Sequence, residues 1–302
     1  MNIKRDPAAS VAAKRRPAPN VRARAARQAS VFAGLVLTLC LALSLALPHR
    51  ELTPMIAAVL PTIAVALTIL ITTRSGARRA EWADIGFRRT SVRSLCVAVG
   101  LPIAIASLSF GVAAAIGVIQ LGIPTFDSGL SVLADIALKA VVFSLLFLGE
   151  EIGWRGYLLP RLANLMSGRW AAVATGALHA AFHLPLLLVT TTYQSAGNRW
   201  IVVPAVLLTI TAAGIPYAWL RWSSGSIWPV AVMHATFNEA MGRWSTIATA
   251  ASPAALAYTT TETGLVTLAL MIMLAAGLLS FGRTFEVGEA ASRACFAATS
   301  RQ

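Results

Sequence analysis

Two adjacent glutamates, Glu150 and Glu151, directly follow a long apolar segment of the sequence. Arg155 lies four residues beyond Glu151, a spacing at which opposite charges pair on one face of a helix. Glu150 lies about 100° away around the same helix and is left without that partner. A partly desolvated carboxylate is a stronger base, so Glu150 is a candidate general base. The alternative is an interfacial cluster of charges, although acidic residues at a helix C-terminus oppose the helix dipole.

Two further pairs of polar side chains lie within apolar segments, each at the i,i+4 spacing of one helix face. His179 and His183 form the first pair, and His234 and Asn238 form the second. Ionisable residues inside membrane segments are costly and are therefore candidates for function. Two hydrogen-bond donors side by side, as in the second pair, are suited to stabilising an oxyanion. Both pairs have a structural alternative, because histidine and asparagine also join membrane helices by hydrogen bonds.

A metal site is the alternative chemistry for the same residues. His179, His183 and His234 would suit a catalytic zinc ion, which takes three protein ligands and keeps one open position. The H-E-x-x-H signature of zinc proteases is missing, because Ala180 stands where its glutamate would be. The sequence also contains no G-x-S-x-G motif. We therefore predict a site without a cofactor, with zinc as the alternative.

Membrane-spanning helices are the elements expected to carry these residues. The chain of 302 residues is 57% hydrophobic and 12% charged, whereas soluble domains carry about 25% charged residues. Its apolar runs are about 18 to 25 residues long, enough to cross a bilayer as a helix. We interpret the first run as a span and not as a signal peptide, because no clear cleavage site follows it. The predicted fold is an all-α polytopic membrane bundle of about eight transmembrane helices, at residues 29–47, 53–72, 95–120, 130–149, 170–192, 200–220, 226–245 and 263–281.

Basic residues set the predicted orientation of this bundle. The net charge is +13, and eight basic residues precede the first apolar run with no aromatic residue among them. Such a stretch offers no stacking platform for bases, so we predict contact with the lipid bilayer and no nucleic-acid partner. With both termini cytoplasmic, 21 basic residues lie inside and three outside, as the positive-inside rule requires. The predicted location is the cell membrane, with a disordered basic tail at 1–28, the bundle at 29–282 and a cytoplasmic tail at 283–302.

The motifs follow one another in an order that resembles a known family. The order is Glu150-Glu151-x-x-x-Arg155-Gly156-Tyr157-Leu158, then His183, then Ser226-Ile227-Trp228-Pro229 and His234-x-x-x-Asn238. It is similar to that of the CAAX prenyl protease and bacteriocin-processing family of intramembrane glutamic endopeptidases, over about residues 125–245. The segment 81–89, Glu-Trp-Ala-Asp-Ile-Gly-Phe-Arg-Arg, also resembles the loop that often precedes this domain.

The resemblance implies an intramembrane endopeptidase that hydrolyses a membrane-associated peptide or protein, prenylated or a precursor. It implies that Glu150, helped by His183, activates a water molecule for attack on a peptide carbonyl. It also implies that His234 and Asn238 bind the developing oxyanion. Family members without demonstrated activity leave a non-catalytic immunity or scaffold protein, or a transporter, as the alternative.

The resemblance also bears on Glu151, Arg155 and His179. Glu151 and Arg155 are implied to support the site. The family usually has an aromatic residue at the position that His179 occupies here, so this position departs from the pattern. The resemblance implies no metal, and His179 would be the additional ligand if zinc were bound.

The predicted depths of these residues place a condition on the bundle. At a rise of 1.5 Å per residue, His183 lies about 20 Å and His234 about 12 Å from the start of their spans. Glu150, by contrast, lies at the predicted end of its span. The three residues can meet only if that span continues toward Pro160 or if the helices are staggered.

Overall fold

The computed structural model describes residues 17–122, 129–191, 196–281 and 283–299, and within these ranges all side chains except those of 129–137 and 299. The described chain is almost entirely helical, which confirms the predicted all-α class. A single 3-10 turn lies at Ser75–Ala77, and a π-helical segment at Ile152–Leu158. The α-helices are α1 (Pro19–Ala46), α2 (Thr53–Ala57), α3 (Leu60–Thr72), α4 (Arg78–Ala83), α5 (Val92–Ala115), α6 (Gly129–Glu151), α7 (Leu159–Ala163), α8 (Gly168–Val189), α9 (Arg199–Ser224), α10 (Trp228–Ile247), α11 (Pro253–Thr259), α12 (Leu265–Phe281) and α13 (Thr284–Thr299).

Several of these helices are long and apolar enough to cross a membrane. Within the described ranges there are five, or six if the bent pair Leu265–Phe281 and Thr284–Ala298 is counted as one span. The five are Pro19–Ala46, Thr53–Thr72, Val92–Ala115, Gly168–Val189 and Arg199–Ser224. They support a multi-pass membrane protein. All eight predicted spans coincide with helical structure, but α6 and α10 are not among the five, so the number of eight stays a prediction.

The first helix begins earlier than the composition predicted. Helix α1 starts at Pro19, so residues 19–28 are helical and not part of a disordered tail. The physical reason is a buried carboxylate, Glu81 of α4, which pairs with Arg24 of α1 and Arg161 of α7. Gln28 donates a further hydrogen bond to Glu81 at 2.9 Å. Residues 1–16 of the predicted tail lie outside the described ranges.

Glu81 remains charged in this setting because its partners outweigh its burial. Burial alone raises the pKa of Glu81, since a charged group loses its hydration. The guanidinium groups of Arg161 and Arg24 and the hydrogen bond from Gln28 act in the opposite direction. Together they hold the pKa of Glu81 below its ordinary value of 4.5. The cluster therefore fixes the start of α1 against the segment between α3 and α5.

Most of the predicted C-terminal tail, Thr284–Thr299, forms a helix that packs on the bundle. Phe285 of α13 is fully buried. Trp222 of α9 donates a hydrogen bond to the Ser292 hydroxyl at 3.3 Å, and the Arg293 side chain donates to the Ala163 carbonyl at 3.1 Å. Helix α13 is thereby attached to α7 and α9.

Close helix contacts at glycines position the two helices that carry Glu150 and the first histidine pair. A Cβ atom on Gly176 would lie 2.4 Å from the Thr211 carbonyl oxygen, and one on Gly214 would lie 2.6 Å from the Gly176 Cα atom. Helices α8 and α9 can therefore approach this closely only without side chains at their contact. Gly149 allows the same for α6, where a Cβ atom would lie 2.7 Å from the Ala58 carbonyl oxygen.

A short two-stranded sheet joins the ends of α5 and α10. Helix α5 ends at Ala115 and is followed by β1 (Ile119–Leu121), so the predicted span to residue 120 is too long at its C-terminal end. Strand β1 pairs antiparallel with β2 (Ala248–Ala250), and Ile119 lies opposite Ala250. This pairing anchors the end of α10, the helix that carries His234 and Asn238.

Candidate active site

The segment with the two glutamates continues as helix well beyond its predicted end. Helix α6 runs through Glu151, and the π-helical segment and α7 extend it to Ala163. The condition for Glu150 to meet the histidines, that its helix continue toward Pro160, is thus fulfilled. A π-helical turn widens the helix locally and is frequent at functional sites. Here it contains Trp154 and Arg155, both of which are fully buried.

Glu151 forms the buried centre of the site. Its carboxylate accepts hydrogen bonds from Arg155 Nη1 at 2.8 and 3.1 Å, so the helical pair expected from the spacing is present. One of its oxygens, Oε1, also lies 2.8 Å from Nδ1 of His234 on α10. Glu151 and Arg155 are both completely buried. This carboxylate therefore links the helical segment that carries Arg155 to α10, which carries His234.

Glu150 has a partner that the helical geometry alone did not indicate. Its Oε2 atom lies 2.7 Å from Nε2 of His179, which projects from α8. The other ring nitrogen of His179, Nδ1, lies 3.3 Å from Nη1 of Arg155. Stacking on Trp154, with ring centroids 4.9 Å apart, fixes the plane of the imidazole. His179 thus contacts both halves of the glutamate–arginine motif.

His183 lies one helical turn further along α8. Its Nδ1 atom lies 3.1 Å from the backbone carbonyl oxygen of His179, so Nδ1 carries a proton and donates it. In a neutral ring this leaves a lone pair on Nε2. One ligand atom each from Glu150, His179 and His183 can be chosen so that all three lie within 4.8 Å of one another. The side chain that hydrogen-bonds Glu150 directly is nevertheless that of His179.

His234 and Asn238 lie one turn apart on α10. The ring of His234 stacks on Phe147 of α6 with centroids 4.4 Å apart, and its Nδ1 atom is occupied by Glu151. Tyr217 of α9 approaches the same ring at 5.5 Å. Asn238 is only partly buried. Both polar side chains line a cavity that they share with Glu150 and the first histidine pair.

A cavity of about 210 Å³ brings these residues onto one surface. Its polar lining includes Glu150, His179, His183, His234 and Asn238, whereas its remaining walls are mostly aliphatic and aromatic side chains from α2, α6, α8, α9 and α10. Glu151 and Arg155 are not part of the lining and lie behind it. The cavity therefore presents the Glu150 carboxylate, three imidazoles and one carboxamide to whatever occupies it.

Two further residues of the cavity carried no signal in the sequence. Tyr217 lines the cavity from α9, and the guanidinium carbon of Arg155 lies 4.8 Å from the centre of its ring. Glu262, in the loop between α11 and α12, adds a second carboxylate to the lining. Neither belongs to a spaced motif, so only the tertiary structure identifies them. His179 had a signal, its spacing to His183, but its contact with Glu150 did not follow from it.

Fold and cavity together define a multi-pass membrane protein with a buried glutamate–histidine site. Residues 131–240 match the family model described as Rce1-like, Type II CAAX prenyl endopeptidase Rce1-like. This match agrees with the CAAX prenyl protease family that the order of the motifs predicted. The matched segment runs from α6 to α10 and contains the whole set of predicted site residues. No curated protein matches the chain.

Proposed function

We propose that this protein is an endopeptidase that cleaves a peptide bond of a membrane-associated peptide, with Glu150 as the general base. The observation that carries the proposal is that Glu150, His234 and Asn238 line one cavity. A base and two hydrogen-bonding groups on facing helices are what attack of water on a carbonyl requires. Largely apolar walls favour a substrate that partitions into the bilayer.

Attack begins with a water molecule held between Glu150 and the substrate carbonyl. Since His179 occupies Oε2 of Glu150, Oε1 is the oxygen that takes the proton from this water. The lone pair on Nε2 of His183 is suited to orienting the same water. The oxygen of the water bonds to the carbonyl carbon, and the carbonyl oxygen becomes an oxyanion. Glu150 then gives its proton to the amine as the carbon–nitrogen bond breaks.

Asn238 and His234 are the groups proposed to stabilise the oxyanion. The amide of Asn238 donates in its neutral form. His234 already donates from Nδ1 to Glu151, so a donor at Nε2 requires a ring that is protonated on both nitrogens. Glu151, whose carboxylate contacts Nδ1 of the same ring, provides a balancing negative charge for it.

The zinc alternative fits the same residues less well. To bind a metal through Nε2, His179 would have to carry its proton on Nδ1. That proton would then face Arg155 Nη1 at 3.3 Å, and an arginine can only donate. We therefore propose a reaction without a metal. A chelator should leave turnover unchanged, and loss of turnover that zinc restores would favour the metal site.

A fluorogenic peptide library tests the proposal on purified protein in lipid nanodiscs. Glu150→Gln keeps the size of the side chain but cannot take a proton, so turnover should fall by about 10² or more. The matched control is Glu286→Gln on α13, an exposed glutamate that pairs with Arg169 at 3.5 Å. Wild-type turnover by a normally folded Glu150→Gln variant would refute Glu150 as the base. Absence of cleavage by the wild-type protein across the library would favour the non-catalytic alternative.

A further inference from the structure

His179 lies between the two charged groups of the glutamate–arginine motif. Its Nε2 atom is 2.7 Å from Glu150 Oε2, and its Nδ1 atom is 3.3 Å from Arg155 Nη1. The side chain is 3% exposed, so water cannot easily take the place of either partner. Each ring nitrogen therefore has one fixed partner.

The chemistry of these partners determines where the proton of His179 resides. Arginine has no acceptor atom, so Nδ1 must offer a lone pair to Arg155. The two hydrogens of Nη1 suffice for this arrangement, because one points to Glu151 and the other to His179. A proton on Nδ1, whether in the other tautomer or in the cation, would place two N–H groups against each other. The ring is therefore neutral and carries its proton on Nε2, directed at Glu150.

We infer that His179 is a positioning residue for Glu150, with Arg155 fixing its tautomer. The hydrogen bond from Nε2 holds one carboxylate oxygen of Glu150 and fixes the rotation of the carboxylate plane. The other oxygen is thereby presented to the cavity, where the proposed water would bind. Trp154, stacked on the imidazole, keeps the ring in this plane. The catalytic part of this inference rests on the proposed function, whereas the tautomer of His179 does not.

Nitrogen NMR of histidine-labelled protein in bilayers measures the tautomer directly. The chain has four histidines, so difference spectra with single variants can assign each ring. We expect His179 to be neutral near neutral pH, with the proton on Nε2 and none on Nδ1. A cationic ring, or a proton on Nδ1, would overturn the inference. This measurement needs no turnover and is unaffected if the protein proves not to be a protease.

Three substitutions at position 179 test the effect on catalysis. In His179→Gln the side-chain amide nitrogen reaches the position that Nε2 occupies in histidine. In His179→Asn the amide nitrogen reaches only the position of Nδ1. His179→Phe keeps an aromatic ring but has no hydrogen-bond donor. A buried hydrogen bond to a charged group is worth roughly 10- to 100-fold. We therefore expect kcat to fall by about that factor for the Asn and Phe variants, with little change in KM, and the Gln variant to retain most of it. The control is His49→Phe. His49 lies outside the cavity and contacts Thr191.

The outcomes separate this inference from the proposed function. Phe and Asn variants with wild-type kcat, alongside an inactive Glu150→Gln variant, would overturn the positioning role while leaving Glu150 as the base. Equal losses in all three variants would also overturn it, because a merely structural histidine would show no rescue by glutamine. An active Glu150→Gln variant would instead overturn the proposed function, and the NMR spectrum would still report the tautomer.

Discussion

Replacing Glu151 by glutamine should destabilise the protein far more than the same replacement of its neighbour Glu150. Glu151 is the only carboxylate within hydrogen-bond distance of the Arg155 guanidinium in the described part of the chain, at 2.8 and 3.1 Å. Both groups are completely buried. Breaking one partner of such a pair costs about 3–5 kcal/mol, because the other charge remains in a medium of low dielectric. We therefore expect Glu151→Gln to lower the free energy of unfolding by about 3–5 kcal/mol.

Glu150→Gln should cost only about 1 kcal/mol, since a glutamine oxygen can still accept the hydrogen bond from His179. The measurement is equilibrium unfolding in mixed detergent micelles or bilayers, with Glu286→Gln as a surface control whose effect stays within about 0.5 kcal/mol. The double variant of Glu151→Gln with Arg155→Gln removes both charges, so its loss should be smaller than the sum of the single losses. Equal losses for the two adjacent glutamates would refute the assignment of Arg155 to Glu151.

Three further predictions concern the oxyanion, acid stability and topology. Asn238→Ala should lower turnover in the fluorogenic peptide assay by roughly 10² to 10³ without loss of folded protein. Unchanged turnover would exclude this amide from the reaction. The ion pairs of Glu81 should stabilise the protein above pH 4.5 and be lost as the pH falls through its lowered pKa. Glu81→Gln should therefore be less stable than wild type at neutral pH, and thermal unfolding should show the gap closing in acid; a gap independent of pH would contradict this. Reporter fusions after residue 85 should read cytoplasmic and those after residue 255 external, and the reverse result would refute the orientation.

Much of the fold could be predicted from the sequence, because a helix that crosses a bilayer must be apolar and must reach a minimum length. Runs of apolar residues long enough to cross the hydrocarbon core gave all-α structure at each of the eight predicted positions. The boundaries were less accurate where a polar contact made far along the chain decides them. The first turns of α1 are held in place by Glu81, more than fifty residues later, which pairs with Arg24. The helix Thr284–Thr299 packs on the bundle because α7 and α9 offer partners such as Ala163 and Trp222.

The same distinction holds for the site. Spacing along one helix determined that Glu151 would pair with Arg155, since residues four apart lie on one face whatever surrounds them. The order of the motifs indicated the family whose model matches residues 131–240. Which histidine would reach Glu150 could not be determined, because that depends on the rotation and depth of α8 relative to α6. This rotation and depth are set by the glycine contacts, the π-helical segment and the continuation of the helix to Ala163. His179 therefore comes to lie between Glu150 and Arg155 only in the folded bundle.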